Sequence, residues 1–450
     1  MKPEVLAKYQ DARVPRYTSY PTAPHFAADF PAETYAGWLS TVEPSAPLSL
    51  YLHIPFCAEM CWYCGCHTKI TRRYDPIAAY AQCLWREIAL VSRHLPAGNA
   101  VTHVHFGGGT PTALSAEDFS RTMGALRDRF SFADGAEIAV EIDPRTADPD
   151  RIAAIGRSGV TRASLGIQTF DPQVQAAINR VQPFDLTYEV ARGLRAAGVS
   201  ALNADLLYGL PYQTAKTCAE TVDQVLMLEP SRLAVFGYAH VPWMKTHQRL
   251  MPEDALPGPA ERVAQFEAIA ARLHHHGYVA VGLDHFARED DPMALALAAN
   301  RLKRNFQGYT TDDAPVLLGL GASAIGALPQ GYVQNAPDIN GYRRSIDEGV
   351  LASRRGRALT EDDRLRRDVI ERVMCDYRVD LAALAVAHGS GLASFADALP
   401  ALGALEADGV ITREGGLVTV VDAYRPLVRS VAACFDRYLD QGARRHSMAV

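Results

Sequence analysis

Long apolar runs are missing from this chain. No stretch approaches the ~18 residues that a membrane helix needs, although 48% of its 450 residues are hydrophobic. The opening residues, MKPEVLAKYQDARVPRY, hold no apolar segment of signal-peptide length. A soluble cytoplasmic protein with no membrane partner is therefore expected. Excess charge of one sign is missing too. The 45 basic and 51 acidic residues leave a net charge of −6, so nucleic acid is not an expected partner. Cysteine is scarce, with 8 in the chain. Cys83, Cys218, Cys375 and Cys434 are scattered, which excludes a dense disulfide framework. A second, separated cysteine pair of the kind a structural zinc site uses is absent. No interface stripe stands out, and a monomer is expected.

What is present begins with alternation. Residues 1–45 are rich in Pro, Tyr and Arg, as in VPRYTSYPTAPHF, and are expected to form an arm lying over the active site. From residue 48, six apolar strands recur: LSLYLHIPF, VTHVHF, EIAVEID, RASLGIQTF, ALNADLLYGL and RLAVFGYAHV. Helices follow them. Asp75-Pro76 opens one, with Ile77, Tyr80, Leu84 and Ile88 on one face. Ser115 caps the next, with Phe119, Met123 and Leu126 inside. Strand–helix repetition implies an α/β fold with a parallel sheet, because parallel neighbours need long crossovers. His53, Gly107–Gly109, Glu141, Asp143, Gln168, Asp205, Tyr208, Tyr238 and His240 lie at or near the strand ends. Functional groups gathered at one C-terminal rim point to a barrel of the TIM type, here a partial (β/α)6 barrel over residues 46–350. Residues 278–288 and 316–326 are further buried segments. From about residue 351 to 450 a mostly helical domain is expected, with a Thr360/Asp363 capping box and a winged hairpin turning at Gly415-Gly416.

The remaining four cysteines lie in CAEMCWYCGC, spaced C-x3-C-x2-C-x-C. Thiolates at short spacing are the usual ligands of a [4Fe–4S] cluster. A ferredoxin-type site would use all four. A site with three ligands leaves one iron open to a cosubstrate, and C-x3-C-x2-C just after a first barrel strand favours that arrangement. FGGGTPT follows about forty residues later, where glycines let backbone approach a ligand without a side chain between.

On these residues the chain resembles the radical S-adenosylmethionine enzymes. YLHIPFCAEMCWYCGCHT, HFGGGTPT, VEIDPR, LGIQTFD, INRVQ, DLLYGLP, FGYAHVP, GLDHFAR, RNFQGYTT and GASAIG occur in order. With PRYTSYPTA at the N-terminus, they resemble the oxygen-independent coproporphyrinogen III oxidases across almost the whole chain. The resemblance implies that Cys57, Cys61 and Cys64 ligate the cluster. Tyr51, Gly108 and Glu141 would contact the S-adenosylmethionine on it. A second S-adenosylmethionine would meet Tyr63, Cys66, Gly109, Thr110, Gln168, Arg180, Asp205, Ala239 and Ile325. Cys66 and Tyr51 would belong to the catalytic centre. The implied reaction turns two propionates of coproporphyrinogen III into vinyls, releases two CO2, and draws on an external electron donor. Arg13, Arg16, Lys245, Arg288 and Arg304 are candidate partners for the substrate's carboxylates. A haem-transferring chaperone of the same superfamily is the alternative; such relatives generally lack the cysteine corresponding to Cys66.

Overall fold

The structure is a computed structural model and describes residues 2–9 and 12–439. Residue 1, residues 10 and 11, and residues 440–450 lie outside the described residues, at the ends of the expected arm and C-terminal domain.

The six expected strands form where alternation placed them: β1 (Leu48–Ile54), β2 (Ala100–Gly108), β3 (Ser131–Ile142), β4 (Arg162–Gln168), β5 (Ala201–Tyr208) and β6 (Arg232–Gly237). Each pairs in parallel with the next. On β1, Leu48, Leu50, Leu52 and Ile54 are buried in the main apolar core with Ile77, Leu84 and Ile88 of the helix Asp75–Ser92. Tyr51 and His53 alternate with them and carry polar groups to the other side of the strand. Asp75 is the first helical residue there rather than the cap, which is Tyr74; its acidic charge still favours the positive helix end. Ser115 caps as expected, accepting from the Asp118 amide.

The two further buried segments extend the sheet at both edges. Tyr278–Val281 (β7) and His285–Arg288 (β8) form an antiparallel hairpin on β6. Val316–Leu320 (β9) pairs in parallel with β1 on the opposite side. Ile325–Leu328, Gly331–Asn335, Ser353–Ala358 and Ala27–Ala28 continue that edge with antiparallel pairing. Among the described residues the sheet has 13 strands and stays open, so the barrel is partial.

The change of character expected at about residue 350 falls one strand later, because Ser353–Ala358 still belongs to this sheet. Beyond it the Thr360/Asp363 capping box forms in both directions. Leu365, Val369, Ile370 and Val373 enter a second core. The hairpin Ile411–Glu414/Leu417–Val420 gains a third strand, Arg378–Asp380. Val5, Tyr17 and Tyr20 of the arm are buried in this second core. The arm thus joins the C-terminal region to the barrel rather than lying alone.

Candidate active site

The cysteine loop leaves the end of β1 and is pinned by backbone, which frees its sulfurs. Phe56–Cys57 pairs with Lys69–Ile70. The Trp62 amide donates to the Ile178 carbonyl at 3.0 Å, and Asn179 Nδ2 to the Met60 carbonyl at 2.8 Å. On the other flank the Cys64 carbonyl is hydrogen-bonded to His247 Nε2 at 2.8 Å. Lys245 Nζ donates to the Cys66 carbonyl at 2.9 Å, and Gln248 Nε2 to that of Tyr63 at 3.1 Å.

Three sulfurs accept hydrogen bonds. Thr68 Oγ1 donates to Cys57 Sγ at 3.3 Å. Arg145 Nη2 and Arg180 Nη1 donate to Cys61 Sγ at 3.3 and 3.5 Å. The Cys66 amide donates to Cys64 Sγ at 3.4 Å. Cys66 is the exposed member of the four. Its thiol hydrogen-bonds Cys64, which brings the Cys64 pKa down to about 6 against the opposing effect of burial. A thiolate is the form that binds metal, and hydrogen bonds to sulfur are a standard lever on iron–sulfur potentials. Among the described residues no three His, Cys, Asp or Glu side chains are gathered closely enough to share one metal ion. Three cysteine thiols on one short loop are the donor type that a [4Fe–4S] cluster takes, and Cys57, Cys61 and Cys64 fit it.

The glycine segment lies flush against this loop. The Gly109 amide donates to the Ile54 carbonyl at 2.9 Å and that of Thr110 to Phe56 at 2.8 Å. A Cβ on Gly109 would stand 2.7 Å from the Phe56 carbonyl oxygen, and Gly108 has φ +122°. Neither position admits a side chain without displacing backbone. Thr110 Oγ1 bonds Thr112 Oγ1 at 2.9 Å, so it anchors the turn.

Polar groups from neighbouring strands meet inside the rim. His53 Nε2 donates to the His67 carbonyl, and Tyr51 donates to His53 Nδ1, each at 3.0 Å. Burial lowers the His53 pKa, which keeps the ring neutral in this arrangement. Tyr51 stacks on His105 at 5.9 Å. His105 Nε2 lies 3.0 Å from Glu141 Oε1, whose other oxygen accepts the Gly108 amide at 3.2 Å. Tyr51, Gly108 and Glu141 are therefore one connected group. A second group surrounds Cys61. Arg145 grips Asp143 at 2.7 and 3.0 Å, and Arg180 approaches the same carboxylate at 3.4 Å. Burial raises the Asp143 pKa, but Arg180 and Arg145 outweigh it and hold the carboxyl below its usual range. Tyr63 is electrostatically joined to Arg180, Cys61 and Cys64.

Asp205 differs from both. Burial, and then repulsion from Glu141, push its pKa up to about 7. Gln168 holds a left-handed backbone at φ 70°, beside Gly166, whose carbonyl takes Arg180 Nη2 at 2.6 Å. Ala239 is tied to Tyr63 because Gln248 donates to both carbonyls. Ile325 is less closely joined. It packs on Gly319, the β9 neighbour of Tyr51, among Phe26 and Tyr332.

Sequence reasoning missed Arg145, Thr68 and His105 as parts of this arrangement. VEIDPR held the available signal, since an Asp-Pro-Arg turn after a strand places acid and base within one hydrogen-bonded loop. Of the candidate carboxylate partners, Arg16, Arg304 and Lys245 approach the rim or the arm beside it. Arg13 lies over Trp243 at 5.8 Å. Arg288 does not join them. It follows β8 back to the opposite end of the barrel, where its amide bonds Ser231 and its side chain is half exposed. The strand is antiparallel to β6, which reverses its ends.

A curated relative from Bradyrhizobium diazoefficiens, an oxygen-independent coproporphyrinogen III oxidase, is 53% identical over 100% of both chains. This chain belongs to the oxygen-independent coproporphyrinogen III oxidase family. The Paracoccus denitrificans member is 43% identical over 98% of this chain and 97% of its own. The model of the radical SAM superfamily matches residues 51–225, from Tyr51 to the helix after β5. The solved coproporphyrinogen III oxidase of Escherichia coli, a radical SAM enzyme, superposes with TM-score 0.91 at 39% identity, covering 97% of this chain and 99% of that one. The expected radical SAM fold is thus the observed one.

Proposed function

We propose that this chain converts coproporphyrinogen III to protoporphyrinogen IX without oxygen, turning two propionates into vinyls and releasing two CO2. The observation that carries this reading is the rim itself. Three hydrogen-bonded cysteine sulfurs, the Gly107–Gly109 segment and the Tyr51–Glu141 group adjoin one another in a chain matched end to end by oxidases. Nothing in the geometry favours a haem chaperone.

When bound, a [4Fe–4S] cluster with S-adenosylmethionine supplies the radical that removes a hydrogen atom from an unactivated propionate β-carbon. Cys57, Cys61 and Cys64 would hold that cluster. Tyr51, Gly108 and Glu141 would receive the cosubstrate on it. A second S-adenosylmethionine would lie against Tyr63, Cys66, Gly109, Thr110, Gln168, Arg180, Asp205, Ala239 and Ile325. The chain's own contribution is orientation and exclusion of water. Arg180 and Arg145 neutralise Asp143 beside Cys61 and keep that side of the cluster site polar but paired. Asp205 offers a carboxyl poised near neutrality to hydroxyl groups or to a sulfonium cation. Cys66, bonded to Cys64 but free of iron, would stand at the catalytic centre. An external electron donor would be needed for a cluster held there. No described helix is long and apolar enough to cross a membrane, and a cytoplasmic monomer remains the working picture.

The test is direct. Anaerobically reconstituted protein receives dithionite, S-adenosylmethionine and coproporphyrinogen III. The reading expects protoporphyrinogen IX, CO2 and 5′-deoxyadenosine. Absence of 5′-deoxyadenosine would sink it.

A further inference from the structure

Four arginines from four separate parts of the chain meet at the end of β6. Arg16 comes from the arm, Arg262 from the helix Pro259–His275, Arg304 from the short hairpin after residue 302, and Arg429 from the last described helix. Arg16 Nη2 donates to the Gly237 carbonyl at 3.4 Å. Arg262 occupies the slot left by two glycines: a Cβ on Gly237 would stand 3.1 Å from its Nη2, and one on Gly209 3.2 Å from its Cζ. Arg304 Nη2 donates to the Arg16 carbonyl at 3.1 Å, and Arg429 Nη1 to that of Val14 at 3.4 Å. The arm backbone between Val14 and Arg16 thus crosses a patch of guanidinium groups.

This patch is short of acceptors. Arg262 Nε, Arg304 Nε and Arg304 Nη1 are buried with no hydrogen-bond partner among the described residues. Arg304 spreads over the Tyr309 ring at 4.3 Å, which meets part of its need. The carboxylate facing the group is Asp284, and His285 already holds it at 2.7 Å. Burial and then repulsion from Arg16 pull the Arg429 pKa down to about 10. Unpartnered guanidinium nitrogens of Arg262 and Arg304, buried near a carboxylate that His285 already engages, are costly unless a further anion meets them. At the base of the same barrel, Arg162 meets Glu137, Asn203 and Ser231 instead. Arg262 and Arg304 together leave three buried nitrogens without a hydrogen-bond partner among the described residues, whereas Arg162 leaves none.

We propose that Arg16, Arg262, Arg304 and Arg429 form the subsite that binds propionate carboxylates of the porphyrinogen. It adjoins Ala239, two residues beyond Gly237, and so borders the cofactor groups. The inference rests on the function proposed above and adds which residues select a tetracarboxylic substrate. Guanidinium–carboxylate pairing is short, charge-assisted and often bidentate. Carboxylate capture would also clamp the arm to the C-terminal region, because three of the four arginines touch or belong to the arm.

The experiment uses the full chain with its cluster reconstituted. Coproporphyrin III, the oxidised fluorescent form with the same four acids, is titrated against its tetramethyl ester. The acid is expected to bind at least about tenfold more tightly. Arg16→Gln, at an exposed position, and Arg262→Gln are expected to erase most of that preference. They should raise KM for coproporphyrinogen III about tenfold or more, while kcat falls by less and iron content stays at the wild-type level. Equal affinity for acid and ester in the wild type, or an unchanged KM in both variants with full iron, would overturn the proposal. If the wild type prefers the acid but forms no vinyl product, the function reading falls and the carboxylate subsite stands.

Discussion

The two ends of this barrel use the same residue types in opposite ways. At the base, Arg162 and Arg232 open β4 and β6, Ser49 lies near the start of β1, and His103 pairs with Glu137 across β2 and β3. Arg162 meets Glu137 at 3.0 Å and Asn203 at 2.9 Å; Arg232 meets Asp291 at 2.7 Å. His103 pairs with Asp312 at 3.2 Å, and Ser49 bonds the same carboxylate. All three Arg162 nitrogens face acceptors, while Arg232 has its Nε on Asp291 and leaves Nη2 buried without a hydrogen-bond partner among the described residues. At the rim, Asp205 has no ion pair among the described residues, and Arg262 and Arg304 hold unpartnered nitrogens. A network whose charges are mostly paired within the chain stabilises the fold. An incomplete one leaves room for ligands to finish it, and that is where chemistry is expected.

The sharpest way to break this comparison is within the cysteine loop. Cys57→Ala, Cys61→Ala or Cys64→Ala should each abolish cluster assembly and lower turnover by at least ~10³-fold, because the metal site supplies the chemistry. Cys66→Ser should keep its iron and lose vinyl formation. Iron analysis and product chromatography check both; iron loss in Cys66→Ser would place that thiol on the cluster instead.

Next comes deletion of one arginine at each end. Arg162→Ala should cost about 3–5 kcal/mol in urea unfolding, since it strands Glu137 and weakens the hold on Asp291. Arg180→Ala should cost less stability, because Arg145 still neutralises Asp143, yet lower turnover by about 10². A reversed order in the unfolding experiment would erase the distinction between the ends.

Asp205 gives the pH test. Its pKa of about 7 lies above the ordinary carboxyl value of 3.8. The folded, ligand-free protein therefore favours the protonated form, and its stability falls as pH rises through the interval between those values. Asp205→Asn should stabilise the ligand-free protein by about 1–3 kcal/mol at pH 8 and by almost nothing at pH 4. S-adenosylmethionine is a cation, so its affinity should rise with pH through about 7, by at most about tenfold per unit, and the Asn variant should flatten that slope. Calorimetric melting and equilibrium dialysis measure the two. The smallest expected effect is Arg288→Gln, which should change stability by less than about 0.5 kcal/mol and leave KM unaltered.

The sequence made much of this legible for physical reasons. Period-two alternation located all six strands, because one face of each must enter the core. Ser115 and the Thr360/Asp363 box declared helix starts through their own hydrogen bonds. That Cys57, Cys61, Cys64, Gly108 and Glu141 share one rim was readable from short spacing and strand-end position, while their proposed roles came from the family resemblance. The arginine patch was legible only in part: Arg16 and Arg304 were candidate carboxylate partners, and Arg262 and Arg429 were not. Arg16, Arg262, Arg304 and Arg429 are far apart in the chain, and tertiary packing alone unites them. Arg288 was misplaced because a hairpin turns β8 antiparallel, which spacing does not reveal. The partners of Cys61, Arg145 and Arg180, likewise come from two different loops.

On the proposed function, cofactor and porphyrinogen together finish the incomplete rim for hydrogen removal from a propionate. Coproporphyrinogen III carrying deuterium on its propionate β-carbons, supplied anaerobically to the reconstituted protein with S-adenosylmethionine and dithionite, tests it most directly. The prediction is deuterium in the 5′-deoxyadenosine recovered beside protoporphyrinogen IX. 5′-Deoxyadenosine free of deuterium, with no vinyl product, would contradict it.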